Sequence, residues 1–119
     1  MKIKTRYLLT ALALIVFLLF AYGSKEEEIN PAELDSEAFV ISQHFVKQRL
    51  RSPSTADFPF LDYTSVHLDS GRYKVTSYVD AQNAFGGEVR TDYKAILKYN
   101  SGDWADYRSW TLEDLKLNQ

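Results

Sequence analysis

Two runs of strict alternation face each other across a short loop. They constrain this chain's fold more than any other feature. From Arg72 to Gln82, Tyr73, Val75, Ser77, Val79 and Ala81 alternate with Lys74, Thr76, Tyr78 and Asp80. From Glu88 to Tyr99, Val89, Thr91, Tyr93, Ala95, Leu97 and Tyr99 alternate with Arg90, Asp92, Lys94, Ile96 and Lys98. A period of two puts each set on one side of a strand. Asn83-Ala84-Phe85-Gly86-Gly87 between them supplies glycines for positive φ. The pattern predicts an antiparallel hairpin with one buried face. If the loop is centred on Phe85, Asp80 lies opposite Arg90, Tyr78 opposite Asp92 and Thr76 opposite Lys94.

The flanking segments extend the sheet. Tyr63 to Asp69 reads as a strand before the Ser70-Gly71 turn. Asn100-Ser101-Gly102-Asp103 is a further turn, and Ser109 to Leu117 reads as the last strand, with Trp110 and Leu112 inward. Upstream, Asn30-Pro31-Ala32-Glu33 resembles a helix start, with Asn30 as cap, Pro31 in the first turn and Glu33 at the capping-box position. Leu34, Ala38, Ile41 and Phe45 share a face, flanked by Phe39, Val46 and Leu50. Lys47, Gln48, Arg49 and Arg51 close a helix expected to reach about Arg51. Ser52-Pro53-Ser54 breaks it. Phe58-Pro59-Phe60-Leu61 is expected to tuck over an end of the core. The expected fold class is α+β: an N-terminal apolar helix, then one long helix packed on a four-stranded antiparallel β-meander.

The first 28 residues read differently. Lys2, Lys4 and Arg6 precede an apolar run from Tyr7 to Tyr22 interrupted only by Thr10. At 1.5 Å per residue the run is about 24 Å long, a little short of a hydrocarbon core of about 30 Å. Cationic flanks stay on the cytoplasmic side, which sends the C-terminal part outside. Two readings stand. Residues 1–23 are a signal anchor, so that 7–22 sit in the membrane, or a signal peptide cut after Ala21-Tyr22-Gly23. The length favours retention. Residues 24–30 form a charged spacer, and 31–119 an extracytoplasmic domain. With no cysteine in the chain, there is no lipid attachment by thioether.

Composition narrows the partners. All 16 Asp and Glu follow residue 23, against 14 Lys and Arg less Lys2, Lys4 and Arg6, so the exported part carries about −5. That disfavours nucleic acid as a partner. The lack of cysteine removes thiolate catalysis and Cys-type zinc sites. It also places the stability of a small exported domain on its 8 Tyr, 7 Phe and 2 Trp.

The candidate contact surface is the hairpin tip. Phe85 is an anchor on an exposed loop, with Asp80, Gln82, Asn83 and Arg90 around it as polar specificity groups. The plainer reading of Asp80 and Arg90 is a cross-strand ion pair supporting the strands. His44 and His67 lack a partner at metal-ligand spacing, since Lys47 and Gln48 follow His44 at i+3 and i+4. No G-x-S-x-G elbow or phosphate loop occurs. Glu113 and Asp114, adjacent on a strand, should lie on opposite faces. No cofactor or metal is expected. The residues point to a non-catalytic, membrane-tethered interaction module of the cell envelope with a possible envelope protein partner. A small-ligand domain of cystatin-like or nuclear-transport-factor-like shape is the alternative, and an envelope hydrolase a weaker third.

Two blocks carry a resemblance. Phe45 to Pro59, containing Ser52-Pro53-Ser54-Thr55-Ala56-Asp57-Phe58-Pro59, and Val79 to Arg90 resemble a group of small exported bacterial and phage-encoded domains. Those carry V-K-x-x-L-K-S-P-S-T-A-x-F-P, then S-Y-V-D-A-Q-N-x-F-G-x-x-V-R and a Trp strand. The similarity covers about residues 36–117. It implies an exported domain behind a lipoprotein signal or membrane anchor, and no activity. It also implies cysteines near the helix start and in the third strand, where this chain has Ala38 and Ala95.

Overall fold

The computed structural model describes residues 5–23 and 28–118. Lys2, Lys4, Ser24 and the Glu26–Glu27 part of the spacer lie outside the described residues. Helix α1 is Thr5–Gly23. Its described side chains, from Tyr7 to Phe20, are all exposed, and none belongs to the hydrophobic core. Thr10 satisfies its hydroxyl within the helix by donating to the carbonyl of Tyr7 at 2.9 Å. Among the described residues no helix is long and apolar enough to cross a membrane; Tyr7 to Phe20 covers only about 21 Å.

The remainder is α+β. Helix α2 (Asp35–Lys47) precedes strands β1 (Thr64–His67), β2 (Arg72–Gln82), β3 (Glu88–Tyr99) and β4 (Trp110–Asn118). The strands form one antiparallel sheet in the order β1-β2-β3-β4. The alternation seen in the sequence is the burial pattern. Tyr73, Val75, Ser77, Val79 and Ala81 of β2 are buried, as are Thr91, Tyr93, Ala95, Leu97 and Tyr99 of β3. Ser70 and Gly71 both adopt positive φ, 44° and 76°, as a two-residue hairpin turn of the favoured twist requires. A Cβ on Gly71 would meet the carbonyl oxygen of Tyr99 at 3.0 Å.

Helix α2 is shorter than expected by about a turn at each end. Asn30 caps a turn instead of the helix: its Oδ1 accepts from Ala32 N at 3.0 Å. The Tyr73 hydroxyl then holds the chain, donating to the Pro31 carbonyl and accepting from Leu34 N. Helical geometry starts only beyond that clamp. At the other end, Arg49 N bonds the Val46 carbonyl and Leu50 N the Lys47 carbonyl. These tighter three-residue turns end the helix ahead of Ser52-Pro53. The buried stripe is Ala38, Phe39, Ile41, Ser42 and Val46. Phe45 turns aside with His44 to pack on Tyr107.

Two further expectations are corrected. Phe58 is half-buried and meets the Tyr93 ring edge-on, yet Phe60 and Leu61 are 87% and 78% exposed instead of tucked over the core. In β4 a bulge opposite Ile96/Leu97 pairs Asp114 with Ile96 and Leu112 with Leu97, leaving Glu113 as the extra residue. Leu112 and Leu115 consequently both turn inward, and Glu113 and Asp114 do not alternate between faces. Glu113 accepts from Arg72 Nε at 2.6 Å on the outer side.

Candidate functional site

The hairpin tip is built from both sequence blocks singled out above. Asp57 pairs with Asp80 as a single antiparallel bridge, with N–H···O distances of 2.8 and 3.0 Å in the two directions. Thr55, at the end of the 3-10 turn Pro53–Thr55, donates its hydroxyl to the Ser52 carbonyl at 2.7 Å. Thr55 Oγ1 in turn accepts from Gln82 N at 2.9 Å. The Ser52–Asp57 segment therefore finishes the sheet edge beyond the short strand β1. It satisfies β2 backbone groups that would otherwise be open.

Asn83 organises the loop. Its Oδ1 accepts from Phe85 N at 2.9 Å and Gly87 N at 3.0 Å, and its own N–H donates to the Gly87 carbonyl at 2.8 Å. Gly86 has φ 81°, a conformation a side chain would strain. Phe85 is left 97% exposed on this braced loop. Replacing Asn83 with alanine removes both accepted bonds, and a loss of about 1–2 kcal/mol is expected. A urea melt measures it, and hydrogen exchange at Phe85 and Gly87 should quicken. An unchanged melt and unchanged exchange would contradict this role.

Asp80 and Arg90 face each other as the register requires. Arg90 Nε and Nη2 donate to the two Asp80 carboxylate oxygens at 2.8 and 2.9 Å, a bidentate fork. The guanidinium also lies over the Tyr78 ring, 3.9 Å from its centroid. The hydrogen bond from Arg90 holds the Asp80 carboxyl below the usual carboxylate range, and the same bond pushes Arg90 further up. Fork and ring face are thus spent inside the sheet, which fits the strand-supporting reading of this pair. A depressed folded-state pKa gives stability that is present above the unfolded value, about 3.9, and is lost as pH falls through the folded one. Asp80→Asn should accordingly lower Tm at neutral pH. Its deficit against wild type should shrink on acidification below about pH 4. A deficit constant from pH 7 to pH 2 would exclude this linkage.

Of the five sequence-derived residues, Asp80, Asn83 and Arg90 are committed to building the tip. Phe85 and the exposed side chain of Gln82 are presented by it. Missed in the sequence were Arg49 and Arg51. They line a groove of about 520 Å³ with Leu50, Ala81, Phe85 and Leu117, among others. Their place looked like helix-dipole complementation alone.

Elsewhere several polar groups are engaged in packing contacts within the domain. Ser42 and Tyr93 share a buried hydroxyl contact at 2.9 Å, and Ser42 donates to the Phe39 carbonyl. Burial pushes the Tyr93 phenol up, which keeps it neutral. His44 stacks on Tyr107 with its Nε2 3.1 Å from Gln48 Nε2. His67 lies beside Tyr73. No group of three or more His, Asp or Glu able to hold a metal occurs among the described residues. The space between α2 and the sheet is filled by Phe39, Tyr73, Val79, Tyr93 and Leu97, each at most 4% exposed.

These features define an α+β domain, one helix on a four-stranded antiparallel meander, whose distinctive surface is a braced aromatic tip. No protein-family model, curated protein or solved structure matches the chain.

Proposed function

We propose that the chain is a non-catalytic interaction module, tethered to a membrane by its N-terminal segment, that contacts an envelope partner through the hairpin tip. The observation that carries this is Phe85, 97% exposed on a loop whose backbone is fixed by Asn83. An aromatic held rigidly in water offers binding area at little entropic cost.

Geometry supports the tethered orientation. The chain comes into the domain at Pro31 and Leu34, both bonded to Tyr73 at the start of β2. The tip is at the other end of β2 and β3, about 35 Å away along the strands. A tether at one end presents Phe85 at the far end. Helix α1 supports the tether itself. Leu8, Leu12, Ile15, Phe17 and Phe20 are all more than half exposed, and an apolar surface on every side needs an apolar surrounding. Its shortness would be met by local thinning of the bilayer or by flanking cations reaching to the interface. The resemblance to exported, anchored domains points the same way. Partner capture by full-length protein, compared with Phe85→Ala, tests the reading.

A further inference from the structure

Helix α2, with 13 residues, is about 20 Å long, whereas β3, with 12, runs about 40 Å. The helix cannot cover the inner face of the sheet to its tip. The uncovered end is the groove between Arg49–Arg51 and the hairpin. Leu50, Ala81, Val89 and Leu117 give it apolar walls, Phe85 stands at its lip, and no Asp or Glu among the described residues lines it. Neither arginine forms a salt bridge among the described residues. Two unpaired cations beside an apolar floor run against the net negative charge of the domain.

The outer edge of β3 here also has no strand partner among the described residues. Among the described residues, β4 pairs with β3 no further than Asp92. On the far side of β2, Asp80 N–H and C=O bond Asp57, and Gln82 N–H bonds Thr55. Both residues thus point their backbone groups away from β3. In an antiparallel pair their partners, Arg90 and Glu88, point theirs outward too, toward that edge. An added strand would be met by backbone donors and acceptors at Glu88 and Arg90, and every second side chain would enter the groove.

We propose that this groove takes an extended acidic peptide segment of the partner. Its backbone pairs with the β3 edge at Glu88 and Arg90, its carboxylates meet Arg49 and Arg51, and an apolar side chain rests against Leu117 and Phe85. The inference rests on the tip being the contact surface and adds the chemistry of what it contacts. A guanidinium fork matches a carboxylate in two parallel hydrogen bonds. A phosphate polymer would match the arginines but would leave the apolar walls and the strand edge without partners.

The test is fluorescence anisotropy on the full chain in detergent micelles with two labelled octapeptides. One is Glu-Glu-Leu-Leu-Glu-Glu-Leu-Leu, which presents alternating acid and leucine on either face when extended. The other has lysine in place of every glutamate. The acidic peptide should bind, more weakly as salt rises, and the basic one should not. Arg49→Gln with Arg51→Gln should weaken binding roughly tenfold or more, and Arg49→Lys with Arg51→Lys should restore part of it. Both arginines are exposed, so each pair of variants should stay folded, which circular dichroism checks. No binding of the acidic peptide, equal binding of the basic one, or affinity unchanged by the glutamine pair would overturn the proposal. If Phe85 still captured a partner under any of those results, the tip would remain a contact surface and only the acidic-peptide chemistry would fall.

Discussion

Tyr73→Ala is expected to unfold the domain or leave it marginal. The side chain is fully buried, and its ring lies 6.1 Å from Trp110 and 5.1 Å from His67. Truncating a buried aromatic costs about 3–5 kcal/mol through lost burial and the cavity left behind. The total stability of a small domain is only about 5–15 kcal/mol. Tyr73 also does more than fill space. Its hydroxyl joins Pro31 to Leu34 and so decides where α2 begins. Tyr73→Phe separates the two effects. It keeps the ring and leaves the Leu34 N–H, buried beside the core, without its acceptor, at a cost of about 1–3 kcal/mol. Denaturant melts should rank wild type above Tyr73→Phe and that above Tyr73→Ala. Equal stability of wild type and Tyr73→Phe would show that the clamp contributes nothing.

Phe85→Ala should do the opposite. Stability should change by no more than about 0.5 kcal/mol, because the side chain contributes little to the fold. Partner capture should fall roughly 30-fold or more, as when a central aromatic anchor is lost. Phe60 supplies a matched control. It is 87% exposed, equally aromatic, and belongs to the loop leading into β1. Phe60→Ala should leave capture intact. If Phe60→Ala abolished capture and Phe85→Ala did not, the contact surface would lie along the Phe60–Leu61 loop.

The sheet was legible in the sequence because its signal is local. β2 and β3 begin and end where the alternation does, and the Asn83–Gly87 loop sets the Asp80–Arg90 register. What could not be read was set by contacts distant in sequence. Asn30 looks like a helix cap, and it became a turn cap because Tyr73 clamps Pro31 and Leu34. The bulge at Glu113 adds one residue, which a strict period of two cannot register, and it reverses the facing of everything after it. The exposure of Phe60 follows from Phe58 taking the inward position beside Tyr93. Composition treats the two phenylalanines alike.

The candidate site divides in the same way. Phe85 was visible as an aromatic just ahead of two glycines in a loop. That Asn83 braces the loop was hidden in side-chain-to-backbone bonds. The joining of Ser52–Asp57 to the tip needed the Asp57–Asp80 bridge, between segments more than twenty residues apart. The contact joins the two segments physically: Ser52–Asp57 braces the edge of the hairpin that Val79–Arg90 forms. Arg49 and Arg51 were read as helix-end cations, and only the shortness of α2 against β3 turns them toward a groove.

Whether the tip makes the contact is decided by site-specific photo-cross-linking. A photoreactive phenylalanine analogue would replace Phe85 in one full-length variant and Phe60 in another, each expressed in cells. A contact through the tip should give one discrete adduct from position 85 and none from position 60. An adduct from position 60 alone, or no adduct from either in protein shown to be folded, would contradict it.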